Sequence, residues 1–273
     1  MRKLRFAFEI ISILLILVLL AGARVEYAQW INADAAEVYA QEFRWYYLPH
    51  AQNKQPRPME KAKFYEKYSV LYVGVPDEKI IYLTFDDCPE NDNILAILDV
   101  LEKHQAPAAF FMTKPFIENH PDTVRRVLES GSLVCNHTSR HVNVAQLSFE
   151  KFKTELKGVE EAYFEVTGLQ LPKYFRPPHG AFSEASLRYA DEMGYTTVFW
   201  SFCYRDWDTR QPSKGNALSA IIKEAHPGEI MLLHCQSSTN LQILDQALTS
   251  LSELGYGFGS LEDIQLPPHT LAP

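Results

Sequence analysis

Between residues 80 and 253, short apolar runs alternate with longer stretches that carry apolar residues at helical spacing. The first run, at 80–85, is followed by such a stretch at about 91–104. The apolar positions on one predicted face of that stretch are Ile94, Leu95, Leu98 and Leu101. Short apolar runs indicate buried strands, and a period of about 3.6 residues indicates amphipathic helices. Because strands and helices alternate, we expect an α/β fold, a distorted barrel with about seven parallel strands.

The remaining elements follow the same alternation. Further strands are predicted at 108–112, 133–135, 174–175, 196–200 and 229–233. Further helices are predicted at about 121–130, 148–166, 183–192, 216–225 and 240–253. Ahead of the first strand come a short helix at 61–68 and an apolar run at 70–73. We therefore expect the α/β domain at 79–265, an arm at 24–78 that packs on the barrel, and a tail at 266–273.

The first 23 residues have the pattern of an export signal or a membrane anchor. A basic start, MRKLR, precedes an apolar run from Ile10 to Leu20 and a small-residue site that ends at Ala23. Such a pattern is typical of export with cleavage after Ala23, whereas a spanning helix takes about 20 apolar residues. An uncleaved anchor stays open, because the run extends over residues 6–23 if Glu9 lies at the membrane interface. Both interpretations place the body of the protein outside the cytoplasmic membrane.

The composition indicates one large globular domain and argues against some kinds of partner. With 47% hydrophobic residues among 273, the chain can bury one large core. The formal charge of -8 and the lack of a basic stripe argue against nucleic acid as a partner. The four cysteines are Cys88, Cys135, Cys203 and Cys235. In an exported protein they allow three complete disulfide pairings, and buried thiols are the alternative.

Two adjacent carboxylates, Asp86 and Asp87, directly follow the first strand. Acidic residues in this position lie where α/β folds place their chemistry, and one can bind a cation while the other takes a proton. The structural alternative is a helix cap, in which Asp87 and Glu90 form a capping box. An HxxxH motif, His137 and His141, follows the third strand. Two such imidazoles, on a helical turn or in a tight loop, form with a carboxylate a metal site with positions open to water.

Other predicted strand ends also carry reactive side chains. These are Arg176 in FRPPHG, Asp206 and Trp207 in RDW, and His234 at the end of IMLLH. Random placement would scatter such residues over both ends of the strands. Because several strand ends meet at one edge of a parallel barrel, we interpret these residues as one catalytic constellation.

Five motifs, in order along the chain, resemble those of the polysaccharide deacetylases, carbohydrate esterase family four, which have a NodB-like domain. TFDDCP, HTSRH, RPPHG, RDW and LLH are similar to the family's TFDDGP, H(S/T)xxH, RxPxG, Asp-Trp and Leu-His motifs. The resemblance runs from about residue 43 to residue 264. It is greatest to the δ-lactam-biosynthetic peptidoglycan N-acetylmuramic acid deacetylases of spore formers, through IIYLTFD, FRPPHGAFSE, AHPGEIMLLH and the WYYLPH arm.

This resemblance implies a function and a partner. The expected activity is that of an exported hydrolase that removes acetyl groups from N-acetylated sugars of peptidoglycan. The implied sugar is N-acetylmuramic acid, on the route to the muramic δ-lactam of the spore cortex. Two rival functions remain: deacetylation of N-acetylglucosamine in chitin-like or exopolysaccharide chains, and non-catalytic binding of the cell wall.

The resemblance also implies how the reaction is divided among the residues. Asp87, His137 and His141 would hold one divalent metal, either zinc or else cobalt, manganese or nickel. Asp86 would be the general base that deprotonates a water on the metal, and His234 would be the acid that protonates the departing sugar amine.

Arg176 is implied to hold Asp86 ionised by charge pairing, and Asp206 either to orient His234 or to raise its pKa. The implied substrate-binding residues are Trp207, Pro178 and His179. The Trp207 indole forms a wall of the acetyl pocket or packs as an ordinary core residue. His179 contacts a substrate carboxylate or is a solvated loop residue.

Cys88 stands where the family has glycine, so the backbone after Asp87 must accept a side chain. The δ-lactam subgroup has Asn or Glu and then Gly-Tyr where this chain has Asp87, Cys88 and Pro89. The predicted metal ligands are therefore those of ordinary metal-dependent deacetylases.

Overall fold

The computed structural model describes residues 41–48, 53–86, 93–208 and 210–264, and from Glu42 onward the chain forms one compact unit. The predicted signal or anchor at 1–23, the metal ligand Asp87 with its neighbour Cys88, and the tail at 266–273 lie outside these residues. Within the described ranges, no helix has the length and apolarity needed to cross a membrane.

The described strands are short, apart from β5, β6, β7 and β12. Their bounds are β1 (Phe43–Arg44), β2 (Tyr47–Leu48), β3 (Arg57–Pro58), β4 (Val70–Leu71), β5 (Ile80–Asp86), β6 (Ala108–Met112), β7 (Leu133–Asn136), β8 (Tyr174–Phe175), β9 (Ala181–Phe182), β10 (Thr196–Val198), β11 (Phe202–Cys203), β12 (Glu229–His234) and β13 (Gly257–Phe258).

The α-helices alternate with the main strands. They are α1 (Asn93–Lys103), α2 (Lys114–Asn119), α3 (Pro121–Glu129), α4 (Phe149–Thr167), α5 (Glu184–Glu192), α6 (Lys214–Glu224) and α7 (Ser238–Glu253). Short 3-10 turns lie at Lys63–Lys67, Pro178–Gly180 and Leu261–Asp263.

Nine strands form one sheet in which every pairing is parallel. The spatial order is β11-β12-β5-β6-β7-β8-β10-β4, and β13 pairs with the first residues of β5. In the described part of the chain no strand pairing joins β11 to β4, and an isolated antiparallel bridge links Val73, which follows β4, to Glu229 at the start of β12. The predicted α/β fold with a distorted parallel barrel is confirmed. Its strand count exceeds seven because the sequence analysis placed no strand at β11 or β13, which have two residues each.

Strand β5 and helix α1 illustrate how the apolar pattern builds the core. Every residue of β5 after the first is buried, as expected for a strand covered on both faces. Helix α1 buries Ile94, Ile97, Leu98 and Leu101. The predicted face was wrong at Leu95, which is 41% exposed, because the spacing i, i+3, i+4, i+7 selects Ile97 instead.

Helix α2 has no counterpart in the sequence prediction. Its six residues, KPFIEN, carry a proline in the first turn and are too few to show a helical period. The predicted strand at 196–200 ends at Val198, so the residues after β10 leave the sheet before β11 begins.

The arm packs its aromatic residues on the part of the barrel where β10 ends. The Trp45 ring stacks on Phe199 with centroids 4.4 Å apart, and its Nε1 donates to the carbonyl of Trp200 at 2.8 Å. The Tyr47 hydroxyl accepts from the backbone N of Cys203 at 3.2 Å. Strand β4 belongs to the main sheet, where it pairs with β10. These contacts place β1 beside the strand ends that carry the predicted site.

Candidate active site

Asp86 and His234 are direct neighbours at the C-terminal edge of the sheet. Asp86 is the last residue of β5 and His234 is the last residue of β12, and the two are partners in the parallel register. Both side chains are largely buried, with relative exposures of 5% and 9%. The sheet thus brings two residues from distant parts of the sequence to one point, as strand-end convergence predicted.

The carboxylate of Asp86 is paired with a buried guanidinium. Nη1 of Arg176 donates to Oδ1 of Asp86 at 2.7 Å, and Arg176 is fully buried. Burial opposes the charge on Asp86, but Arg176, followed by His137 and His234, outweighs it and holds the pKa of Asp86 below its ordinary value. Asp86 is therefore ionised at neutral pH.

The remaining donors of Arg176 are also satisfied. Nε donates to the carbonyl of Val198 at 3.1 Å, and Nη2 donates to Oγ1 of Thr84 at 2.9 Å and to the carbonyl of Phe199 at 3.2 Å. The guanidinium lies over the Phe111 ring, 4.1 Å from its centroid. A fully buried charge is tolerated when it is paired and hydrogen-bonded in this way. Arg176 is consequently a rigid support for Asp86.

The HxxxH motif lies in a tight loop after β7, which decides between the two geometries that the spacing allowed. The loop contains two non-glycine residues with left-handed backbone, Thr138 at φ 67° and His141 at φ 53°. The rings of His137 and His141 lie with centroids 4.9 Å apart. Left-handed residues cost about 1–3 kcal/mol each and cluster at functional sites. His179, at φ 59°, is a third, and its ring lies 4.8 Å from that of His141.

Two buried side chains that the sequence analysis did not single out hold this loop in place. The Glu155 carboxylate accepts from the backbone N of Arg140 at 3.0 Å and from its Nε at 2.7 Å. The Asn136 amide donates to the carbonyl of Leu156 at 2.9 Å, and its Oδ1 accepts from the backbone N of Thr138 at 3.0 Å. Both residues anchor the loop to helix α4.

His137 has the hydrogen bonding expected of a metal ligand. Its Nδ1 lies 2.9 Å from the carbonyl oxygen of Arg176. A carbonyl only accepts, so Nδ1 carries the proton and Nε2 carries the lone pair of the neutral ring. Nε2 lies 3.9 Å from Oδ2 of Asp86, and His141 lies beside it. The third predicted ligand, Asp87, lies outside the described residues, and within them no group of three such side chains is close enough to hold a metal ion. The donor types and the tautomer of His137 fit a divalent metal.

His234 is oriented by Asp206. Oδ1 of Asp206 lies 2.8 Å from Nδ1 of His234, and Oδ2 accepts from the backbone N of His234 at 2.7 Å. A carboxylate accepts the Nδ1 proton, so Nε2 is the ring atom left for exchange with a substrate. Asn240 donates to Oδ2 of Asp206 at 2.6 Å. Sequence reasoning missed Asn240, because its place three residues after Ser237 at the start of α7 marks it only as part of a helix start.

A cavity of about 380 Å³ lies between these groups. It is lined by Arg44, Asp86, His137, His141, His179, Gly180, Trp200, Cys203, Trp207, Leu232, His234 and Gln236. Trp207 is 51% exposed and lies 5.5 Å from the His234 ring, so it is a cavity wall and not a core indole. Pro178 is buried, and a substrate-binding role for it stays a prediction.

Neither Cys135 nor Cys203 is in a reactive state in this structure. Cys135 and Cys203 form no disulfide. Burial is the main cause that raises the pKa of the Cys203 thiol to about 12, so it is a neutral thiol at physiological pH. Arg44, from the arm, also lines the cavity and was not singled out in the sequence.

Comparison with known proteins points to one family. The family model for polysaccharide deacetylase matches residues 74–198. The chain is 38% identical over 224 residues to the peptidoglycan-N-acetylmuramic acid deacetylase PdaA of Bacillus subtilis, covering 81% of this chain and 85% of that protein. It is 32% identical over 191 residues to a peptidoglycan-N-acetylglucosamine deacetylase of Bacillus cereus, covering 69% of this chain and 89% of that protein.

The solved structure of Bacillus subtilis PdaA, a family 4 carbohydrate esterase, superposes with a TM-score of 0.79 at 36% identity. The match covers 82% of this chain and 97% of that one. Similarity of this extent in both sequence and fold, together with the assembled strand-end residues, settles the family. The chain belongs to the polysaccharide deacetylase family and is a deacetylase of carbohydrate esterase family 4.

Proposed function

We propose that this deacetylase is exported, depends on a divalent metal, and removes the acetyl group from N-acetylmuramic acid residues of peptidoglycan, on the route to the muramic δ-lactam of the spore cortex. The pairing of Asp86 with Arg176 and of His234 with Asp206, at one edge of one cavity, carries the proposal of hydrolytic chemistry. The 38% identity to a protein named as an N-acetylmuramic acid deacetylase supports the choice of sugar.

The base and the acid of the reaction are distinct groups in this site. The ionised Asp86 would take a proton from the attacking water as its oxygen bonds to the acetyl carbon. The C–N bond then breaks, acetate leaves, and Nε2 of His234 delivers a proton to the sugar amine. Asp206, beside Nδ1, would stabilise the positive ring of His234 while it carries that proton.

Asp87, His137 and His141 would hold the metal. When bound, a divalent ion in such a site lowers the pKa of water and polarises the acetyl carbonyl. The hydrogen bond from Nδ1 of His137 to the Arg176 carbonyl keeps Nε2 of His137 in the ligating tautomer. The same Arg176 therefore supports a ligand through its backbone and the base through its side chain. Zinc, cobalt, manganese and nickel all accept such ligands.

The test uses the purified chain and glycan strands that lack stem peptides. We expect acetate release, its loss after chelation, and its return when a divalent metal is added back. The absence of acetate with each of the four metals would contradict the proposal. A signal-dependent accumulation of the protein outside the cytoplasmic membrane, lost when residues 1–23 are deleted, would support export.

The same purified protein and glycan strands distinguish the two rival functions from the proposed one. The relative named as an N-acetylglucosamine deacetylase favours the second sugar as an alternative substrate. Mass spectrometry of the products identifies which sugar gains a free amine. A non-catalytic wall-binding protein would bind glycan equally as wild type and as Asp86→Asn, with no acetate from either. The complete set of strand-end residues argues against that rival, since binding has no need for a general base and acid.

A further inference from the structure

Strand β1 of the arm delivers an arginine to the cavity that contains the catalytic groups. Strand β1 pairs antiparallel with β9, and in this register Arg44 is the partner of Ala181. Arg44 lines the same cavity as Asp86, His137 and His234. No step proposed for the deacetylation uses it.

The residues on both sides of Arg44 are anchored in the protein. The Phe43 ring packs against Phe64 with centroids 5.2 Å apart, and Trp45 stacks on Phe199. The backbone N of Trp45 donates to the carbonyl of Gly180 at 2.9 Å. Successive side chains of a strand point to opposite faces, so the two anchored aromatics direct Arg44 away from the core. Arg44 is thereby placed with little conformational freedom left in its backbone.

The guanidinium of Arg44 is only partly engaged. Its Nε lies 3.5 Å from Oε1 of Glu42, whose other oxygen accepts from Nδ2 of Asn143 at 2.9 Å. The Arg44 side chain is 68% exposed, and within the described residues its Nη atoms contact no acceptor. Leaving the histidines aside, Asp86 is the other charged residue that lines the cavity, and it is already paired with Arg176. The Arg44 guanidinium can therefore donate hydrogen bonds to an anionic group of a substrate in this cavity.

We propose that Arg44 binds the carboxylate of the lactyl ether of the muramic acid residue that is deacetylated, and so favours muramic acid over glucosamine. The inference rests on the proposed function. In muramic acid the lactyl ether at C3 is adjacent to the acetamido group at C2, whereas glucosamine has a hydroxyl at C3. A substrate with its acetamido group between Asp86 and His234 brings that carboxylate to the same cavity as Arg44. The two Nη donors match the two oxygens of a carboxylate in a bidentate pair.

The experiment crosses two substrates with three variants. The substrates are peptide-free muramic glycan strands and the same strands with their lactyl carboxylates converted to amides. The variants are Arg44→Gln, Arg44→Lys and, as a matched control, Arg188→Gln, which changes a partly exposed arginine on α5 that does not line the cavity. We expect wild type to lose about 10- to 100-fold in kcat/KM on the amidated strands, the range for losing a charge-assisted hydrogen bond, and to lose it mainly through KM.

Arg44→Gln should show the same low kcat/KM on both substrates, equal to that of wild type on the amidated strands. Arg44→Lys should keep part of the preference, since it keeps the charge without the fork, and Arg188→Gln should behave as wild type. Equal kcat/KM of wild type on the two substrates would overturn the inference whether or not the variants fold. Retention of the full preference by Arg44→Gln would overturn it too. If wild type releases no acetate from either muramic substrate, the proposed function fails, and this inference fails with it.

Discussion

Two buried carboxylates at opposite ends of paired strands have pKa values that are shifted in opposite directions. Asp86 ends β5 at the catalytic edge, and Glu229 begins β12 at the other end of the barrel. The Asp86 carboxylate has the Arg176 guanidinium at 2.7 Å, and its pKa is lowered in spite of burial. Glu229 is fully buried, and burial raises its pKa well above the ordinary value. Burial alone thus does not decide whether a carboxylate is ionised.

The contacts of Glu229 explain the difference. Its Oε2 accepts from the backbone N of His226 at 3.1 Å, which lowers the pKa less than burial raises it, and Glu224 nearby raises it further. Its Oε1 has no hydrogen-bond partner in the described residues. The His226 ring also lies beside Glu229, with Nδ1 at 3.3 Å from Oε2. Burial without a guanidinium partner favours the protonated form of a carboxylate, whereas a paired guanidinium favours its charged form. The one fully buried arginine of the described residues, Arg176, pairs with the carboxylate that is proposed as the base.

The strongest test of this comparison is the same acid-to-amide change at each end. Asp86→Asn removes the proton acceptor, so we expect kcat for acetate release to fall about 1,000-fold. Glu229→Gln should leave kcat within about twofold of wild type, because Glu229 lies away from the cavity. Steady-state acetate assays measure both. A comparable loss in the two variants would show that the site is sensitive to charge anywhere in the barrel.

Removing the cation tests what sustains the charge of Asp86. Arg176→Met leaves a buried carboxylate without its partner and should lower the free energy of unfolding by about 3–5 kcal/mol. Arg188→Met, at a partly exposed position on α5 where the side chain pairs with Glu192, should change it by less than about 1 kcal/mol. Urea denaturation at pH 7 gives both values. A loss for Arg176→Met as small as for the control would mean that the pair is not what stabilises the buried charge.

The Asp206→Asn variant tests the proposed acid, His234, as Asp86→Asn tests the proposed base. Asp206→Asn keeps the size of the side chain but cannot stabilise a positive imidazole, so we expect kcat to fall about 100-fold. Asp208→Asn, in the same loop, is the matched control and should retain near wild-type kcat. A shift of the alkaline limb of the pH–rate profile in Asp206→Asn but not in Asp208→Asn would identify the role as proton transfer. An unchanged profile would leave Asp206 as a purely structural residue.

The smallest expected effect concerns stability at the other end of the barrel. Because the pKa of Glu229 is raised, its favourable protonated state is fully populated below the ordinary value of 4.5 and is lost as pH rises. Glu229→Gln should therefore raise Tm by a few degrees at pH 7–8, with the gain vanishing near pH 4, on a scale of about 2–4 °C per kcal/mol. Asp86 has the opposite pH dependence, because its pKa is lowered. The stability that its ionised form contributes is present above pH 3.8 and is lost as pH falls below that value. Glu253→Gln, on an exposed surface, should show no such trend, and a gain independent of pH in Glu229→Gln would contradict the assignment.

The residues that form the candidate site were predictable because their chemical types are rare at strand ends. Asp86, Arg176, Asp206 and His234 stand in local patterns that mark the end of an apolar strand or the loop after one. The supporting residues were not predictable. Asn240 and Glu155 stand in helices where polar residues are ordinary, and only their partners distinguish them.

Some errors have equally local causes. The seven-strand expectation omitted β11 and β13, whose two residues each span no full alternating period. Leu95 was assigned to the buried face because its residue type is apolar, although the helix turns it outward. The sequence could not fix the geometry of HxxxH, since the same spacing suits a helical turn and a loop. The hydrogen bonds from Arg140 to Glu155 stabilise the loop.

The sequence by itself determined the parallel α/β barrel and the edge at which its chemistry collects. Alternating apolar periods dictate parallel strands, and parallel strands all end on the same side. Only the tertiary structure decided which buried carboxylate has a lowered pKa, which ring nitrogen of His137 and of His234 faces away from its hydrogen-bond partner, and which arginine of the arm reaches the cavity. These properties depend on distances of a few ångströms between side chains far apart in the sequence, and such distances exist only once the sheet and the arm have packed together.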